Sequence, residues 1–101
     1  MIAYDDQELA LAAELLELRH GRSVRFELGE AEVPEPGAPV PFACAALVWE
    51  SRGAQFVVCK VGPARYRGGA FDASGDPLRG GGVEHSDLGD CIDELLRARS
   101  G

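Results

Sequence analysis

Apolar residues are densest between Phe42 and Val61. Two runs there, Phe42 to Glu50 and Gln55 to Val61, read as strands. Ser51-Arg-Gly-Ala54 between them is a polar turn in which Gly53 can take positive φ. A turn centred on Arg52-Gly53 sets Trp49 opposite Phe56 and Ala46 opposite Cys59. One face then carries Phe42, Cys44, Ala46, Val48 and Glu50 against Val61, Cys59, Val57 and Gln55. The other carries Ala43, Ala45, Leu47 and Trp49 against Phe56, Val58 and Lys60. Both faces are apolar, whereas a half-exposed antiparallel strand alternates apolar with polar. The hairpin is therefore expected at the centre of a sheet, covered on both sides by helices, a second layer or another chain.

The flanking pattern has a different period. Asp5 to His20 reads as a helix, with Asp5 and Glu8 as a capping box, Gly21 as the terminating residue, and Arg19 and His20 at its negative end. Its apolar positions make two adjacent groups: Leu9, Ala12, Ala13 and Leu16, and beside them Leu11, Leu15 and Leu18. Together they exceed the roughly 100° stripe of a simple surface helix. Either the helix sits deep in a groove or it touches a second chain as well as its own sheet. Gln7, Glu14 and Glu17 form its polar sector. Ser86 to Arg99 reads as a second helix, capped by Ser86 or Asp87. Leu88, Cys91, Ile92 and Leu95 form its core face; Asp90, Asp93, Glu94 and Arg97 form a wet face with an Asp93–Arg97 pair.

Between these helices, Ser23 to Leu28 alternates as a half-exposed strand. Glu30 to Pro41, rich in Pro and Glu, reads as an extended loop without regular pairing. Ala64 to Phe71 reads as a strand interrupted by a bulge at Gly68-Gly69. Asp72 to Pro77 is a turn signal, and Leu78 to Glu84, with Gly80-Gly-Gly82, is a weak strand or loop. The order predicts one α+β domain: an N-terminal helix, an antiparallel meander of four or five strands, and a C-terminal helix packed on the sheet.

Charge narrows the function. The 101 residues carry a formal net charge of −7. That argues against phosphate-backbone binding, which needs clustered Lys and Arg, and suits a basic protein partner. In outline, helix, three strands, helix resembles a double-stranded-RNA-binding domain. Where that family clusters lysines at the start of its second helix, this chain has Asp87, Asp90 and Asp93. Arg67-Gly-Gly69 and Arg79-Gly-Gly81 are too few to act as RGG boxes. No run approaches the roughly 18 apolar residues of a membrane helix, and Asp5 and Asp6 stand where a signal peptide is cationic and then apolar. A cytoplasmic protein is expected.

Candidate chemistry is sparse. Cys44, Cys59 and Cys91 have neither metal-ligand nor disulfide spacing. In the register above, Cys44 and Cys59 are diagonal neighbours, with Cβ atoms roughly 7–8 Å apart, too far for an unstrained bridge. Cys91 near a helix start, with His85 close by, could be a nucleophile, but it occupies the core stripe and reads as structural. Asp72, Ser74 and Asp76 begin like a calcium loop, yet Pro77 and Val83 stand where that loop needs Gly and Glu. Gly80-Gly-Gly82 lacks the residues of a phosphate loop. No catalytic, cofactor or metal residue emerges. The leading reading is a non-catalytic protein-binding module of inhibitor, immunity, anti-defence or adaptor type. It is expected to be a homodimer or to need another protein, with Leu11, Leu15, Leu18, Trp49 and Phe56 as its contact residues. The alternatives are a small-molecule-binding protein or small enzyme with a pocket against the sheet, and an acidic mimic of nucleic acid.

Overall fold

The computed structural model describes residues 2–33, 37, 39–76 and 84–100. Helix α1 spans Asp6–His20 and α2 spans Leu88–Ser100. Between them run β1 (Phe26–Val33), β2 (Phe42–Ser51), β3 (Ala54–Gly62), β4 (Arg65–Phe71) and the two-residue β5 (Glu84–His85). The strands lie in sequence order in one antiparallel sheet, so this is the predicted α+β meander with a helix at each end.

Local signals set the elements. Asp5 accepts from the Glu8 amide at 2.8 Å, and Glu8 accepts from the Asp5 amide at 2.9 Å. This reciprocal cap satisfies two amide donors at the start of α1. Gly21 ends the helix at φ 73°, its amide donating to the Glu17 carbonyl. Asp87 caps α2 through the Asp90 amide at 3.1 Å. The β2–β3 turn holds Arg52 at φ 52° and Gly53 at φ 78°. Positive φ at both central residues matches the strand twist, and it delivers the expected register: Trp49 opposite Phe56, Ala46 opposite Cys59. In the Asp72 to Asp76 turn, the Asp72 carboxylate accepts from the Ser74 and Asp76 amides, local bonding that makes the metal-loop reading unnecessary.

Three strand expectations change. β1 begins at Phe26 rather than Ser23 and continues through Val33, with Glu30 opposite Ala45 and Glu32 opposite Ala43. Prolines begin only at Pro34, and an edge strand tolerates charge because one flank stays in water. β4 is unbroken across Gly68-Gly69; the register shift lies on β3, between Lys60 and Gly62. The Leu78–Glu84 segment, apart from Glu84, and the Gly80-Gly-Gly82 run lie outside the described residues.

Both helices pack on one face of the sheet. Ala12, Leu16, Leu88, Cys91, Ile92 and Leu95 meet Leu47, Trp49, Phe56, Val58, Tyr66 and Ala70 in one core. The opposite face carries a smaller cluster of Cys44, Ala46 and Cys59, flanked by Ala31, Val48, Val57 and Val61. No described helix lies in it.

Gly68 explains the close seat of α2. A Cβ there would stand 2.7 Å from Leu95 Cδ1 and 2.9 Å from its Cγ. Leu95 is itself fully buried and cannot swing away. Gly68→Ala should cost about 1–3 kcal/mol by overpacking, read from the urea midpoint. Gly69→Ala, whose Cβ would meet nothing closer than Phe71 at 3.5 Å, is the control and should cost less.

Candidate functional site

The five expected contact residues separate in the structure. Trp49 and Phe56 are 2% and 1% exposed, stacked with ring centroids 5.3 Å apart, beneath the helices. They are part of this chain's own core. Leu15 is half-buried against that core. Leu11 and Leu18 point outward, 38% and 72% exposed. Their spacings, i, i+4 and i+7, put Leu11, Leu15 and Leu18 on one side of α1. Ala12 and Leu16, further round, are buried. The apolar excess read in the sequence is thus a real second stripe, bordered by exposed Glu14.

A buried polar cluster also lies under α1. Lys60, the chain's single lysine, projects from β3 onto the helix face. Its Nζ donates to Glu8 Oε1 at 2.6 Å and to the Ala3 carbonyl at 3.1 Å, and lies 6.0 Å from the centre of the Tyr4 ring. Tyr66 donates to the other Glu8 oxygen, and the Tyr4 hydroxyl donates to the Val58 carbonyl at 2.6 Å. Burial alone would raise the Glu8 carboxyl. Hydrogen bonds from Lys60, Tyr66 and the Asp5 amide outweigh it and hold the group below its ordinary value. Burial, then the Glu8 carboxylate, pushes the Tyr66 hydroxyl well up. With its charges paired and its hydroxyls committed, the cluster works as a clasp holding the N-terminal segment to the sheet. Its signal in the sequence was a lone lysine inside an apolar strand.

The thiols have little chemical reach. Cys44, Cys59 and Cys91 are free and buried. Burial pushes Cys91 up to about 12, and burial with the neighbouring Cys44 thiol pushes Cys59 up to about 12. His85, instead of serving Cys91, pairs with Glu94 at 3.0 Å. Asp93 turns across to Arg19 of α1 at 3.0 Å instead of along its own helix to Arg97. Because the folded-state thiol values lie above the ordinary 9.0, the stability they contribute is full below pH 9.0 and is lost as pH rises toward 12. Near neutral pH a thiol reagent should therefore label the native protein only as fast as it opens. Cys91→Ser should cost about 1–3 kcal/mol. Fast labelling of folded protein would refute a purely structural role.

A third feature is a cleft of about 420 Å³ between the end of α1, the β2–β3 turn and α2. Among the described residues, no group of His, Cys, Asp and Glu could hold a metal ion, and no helix is long and apolar enough to cross a membrane. Compared with protein-family models, curated proteins and solved structures, the chain matches none.

Proposed function

We propose that the protein is a small, acidic, non-catalytic protein-binding module of inhibitor, immunity or adaptor type. Its contact surface is the outer stripe of α1, Leu11, Leu15 and Leu18. The carrying observation is the 72% exposure of Leu18 and 38% exposure of Leu11 on a helix whose other apolar side is already buried. A helix side with anchors at i, i+4 and i+7 is the form in which helices enter a partner's groove. Glu14 beside the stripe and the net charge of −7 favour a basic partner surface. Thiols held near 12 stay protonated at neutral pH, which suits binding rather than nucleophilic chemistry. Three free cysteines suit a reducing, cytoplasmic setting.

The test is sedimentation at micromolar concentration together with capture of partners from the native host. Leu18→Glu should abolish self-association or partner capture while leaving the urea midpoint within about 0.5 kcal/mol of wild type, as for an exposed site. A monomeric wild type whose captured partners bind the variant equally well would rule the reading out.

A further inference from the structure

The cleft at the end of α1 has its own chemistry, independent of the helix stripe. Its volume of about 420 Å³ lies within the usual range of ligand sites. Phe56 and Leu96 supply apolar wall. Arg19, Arg52 and Arg97 also line it, three of the chain's ten Lys and Arg residues. Against them stand Asp90 and Asp93. Three cations against two anions leave this cleft at +1 in a protein of −7.

The polar part of the wall comes from Ser51 and His20, with Ser51 Oγ 3.5 Å from His20 Nδ1. Burial, with Arg22 and Arg52 nearby, lowers the His20 ring below its ordinary value, so it is neutral at neutral pH. Among the described residues, two buried side-chain polar atoms have no hydrogen-bond partner: His20 Nε2 and Trp49 Nε1. Of the two, His20 lines this cleft; Trp49 lines a separate pocket beside Arg22, Val24 and Gln55. With Nδ1 of the neutral histidine accepting from Ser51, its Nε2 carries a hydrogen and donates. A buried donor without an acceptor beside arginines suits an acceptor that is an anion.

We propose that this cleft binds a small organic monocarboxylate with an apolar body. The charge count selects one negative charge: a phosphate monoester, close to doubly charged, would face Asp90 and Asp93 as well as the arginines. A planar carboxylate matches the guanidinium fork. Phe56 and Leu96 take the apolar body, and the carboxylate enters beside Ser51 toward the unpaired His20 Nε2.

The probe is phenylacetate, titrated into the full chain and followed by amide N–H resonances. Inorganic phosphate and phenethylamine are the controls. Saturable shifts at the Ser51, Arg52 and Gly53 amides, absent with both controls, are expected. Arg52→Gly keeps the fold testable, because glycine takes the left-handed turn position without steric cost. That variant should weaken phenylacetate by about tenfold or more, the usual worth of a charged hydrogen bond. The proposal is overturned if phenylacetate gives no saturable shift, if phosphate shifts the same signals equally, or if Arg52→Gly binds as wild type does.

Discussion

Lys60→Met should lower the unfolding free energy by about 3–5 kcal/mol, the cost of leaving one member of a buried ion pair alone. The total stability of such a domain is about 5–15 kcal/mol, so this one change removes a large share. The reason is local. The Lys60 and Glu8 side chains are only 9% and 12% exposed and meet at 2.6 Å. Without the ammonium, the Glu8 carboxylate stays under α1 with Tyr66 and the Asp5 amide as its remaining donors, and the Ala3 carbonyl loses its donor. Replacing both partners by apolar residues, Lys60→Met with Glu8→Leu, should recover part of the loss. The recovery would be incomplete, because Glu8 is also half of the capping box.

The same cluster sets an acid limit. The folded-state Glu8 value is depressed below 4.5. Its stabilisation is therefore present above pH 4.5 and is lost as pH falls through the folded-state value. In Lys60→Met that value rises toward the unfolded one, so the acid-dependent loss of stability should be smaller than in wild type. Urea unfolding of both proteins across the acid range measures this. Parallel pH profiles would show that the pair contributes no linkage.

How far the sequence reached depends on the kind of signal. The capping box, the Gly21 stop and the period of α2 are encoded within a few residues, and these elements were legible. The hairpin register was legible because the turn alone determines it. β1 runs on to Val33 although the prolines and glutamates of Glu30 to Pro41 read together as loop, because an edge strand accommodates Glu30 and Glu32. The Glu8–Lys60 pair joins residues 52 apart, and each had a sufficient local reading of its own. Which face the helices cover was undecided because both are apolar. Size distinguishes them: Leu47, Trp49, Phe56 and Val58 lie under the helices, while Cys44, Ala46 and Cys59 lie on the other side. Larger side chains fill the deeper space between sheet and helix. Of the expected contact residues, the helix leucines rest on periodicity, and the aromatic pair on its cross-strand register and residue type. Periodicity records which side of a helix is apolar; an aromatic suits a core as well as an interface.

Trp49→Ala should cost about 3–5 kcal/mol, as for a large aromatic removed from a packed core. Trp49 is 2% exposed, and its ring lies at 15° to that of Phe56, with the centroids 5.3 Å apart. The cost thus combines lost apolar burial, the cavity left behind and a lost aromatic pair. The surrounding residues cannot collapse easily, since the sheet holds Phe56 from below and Leu16, Ile92 and Leu95 sit fully buried in the same core. The indole N–H has no partner among the described residues, so no hydrogen bond is given up, and the loss should fall within the packing range. Association through the Leu11–Leu18 stripe should be unchanged in molecules that remain folded, because Trp49 lies on the sheet beneath the helices. Leu18→Glu should do the reverse, sparing stability and removing association. Urea unfolding and sedimentation of the two variants at matched micromolar concentrations separate the roles. If Trp49→Ala instead leaves the urea midpoint near wild type and weakens association, the indole is an interface residue and the helix cover over it must open when the partner binds.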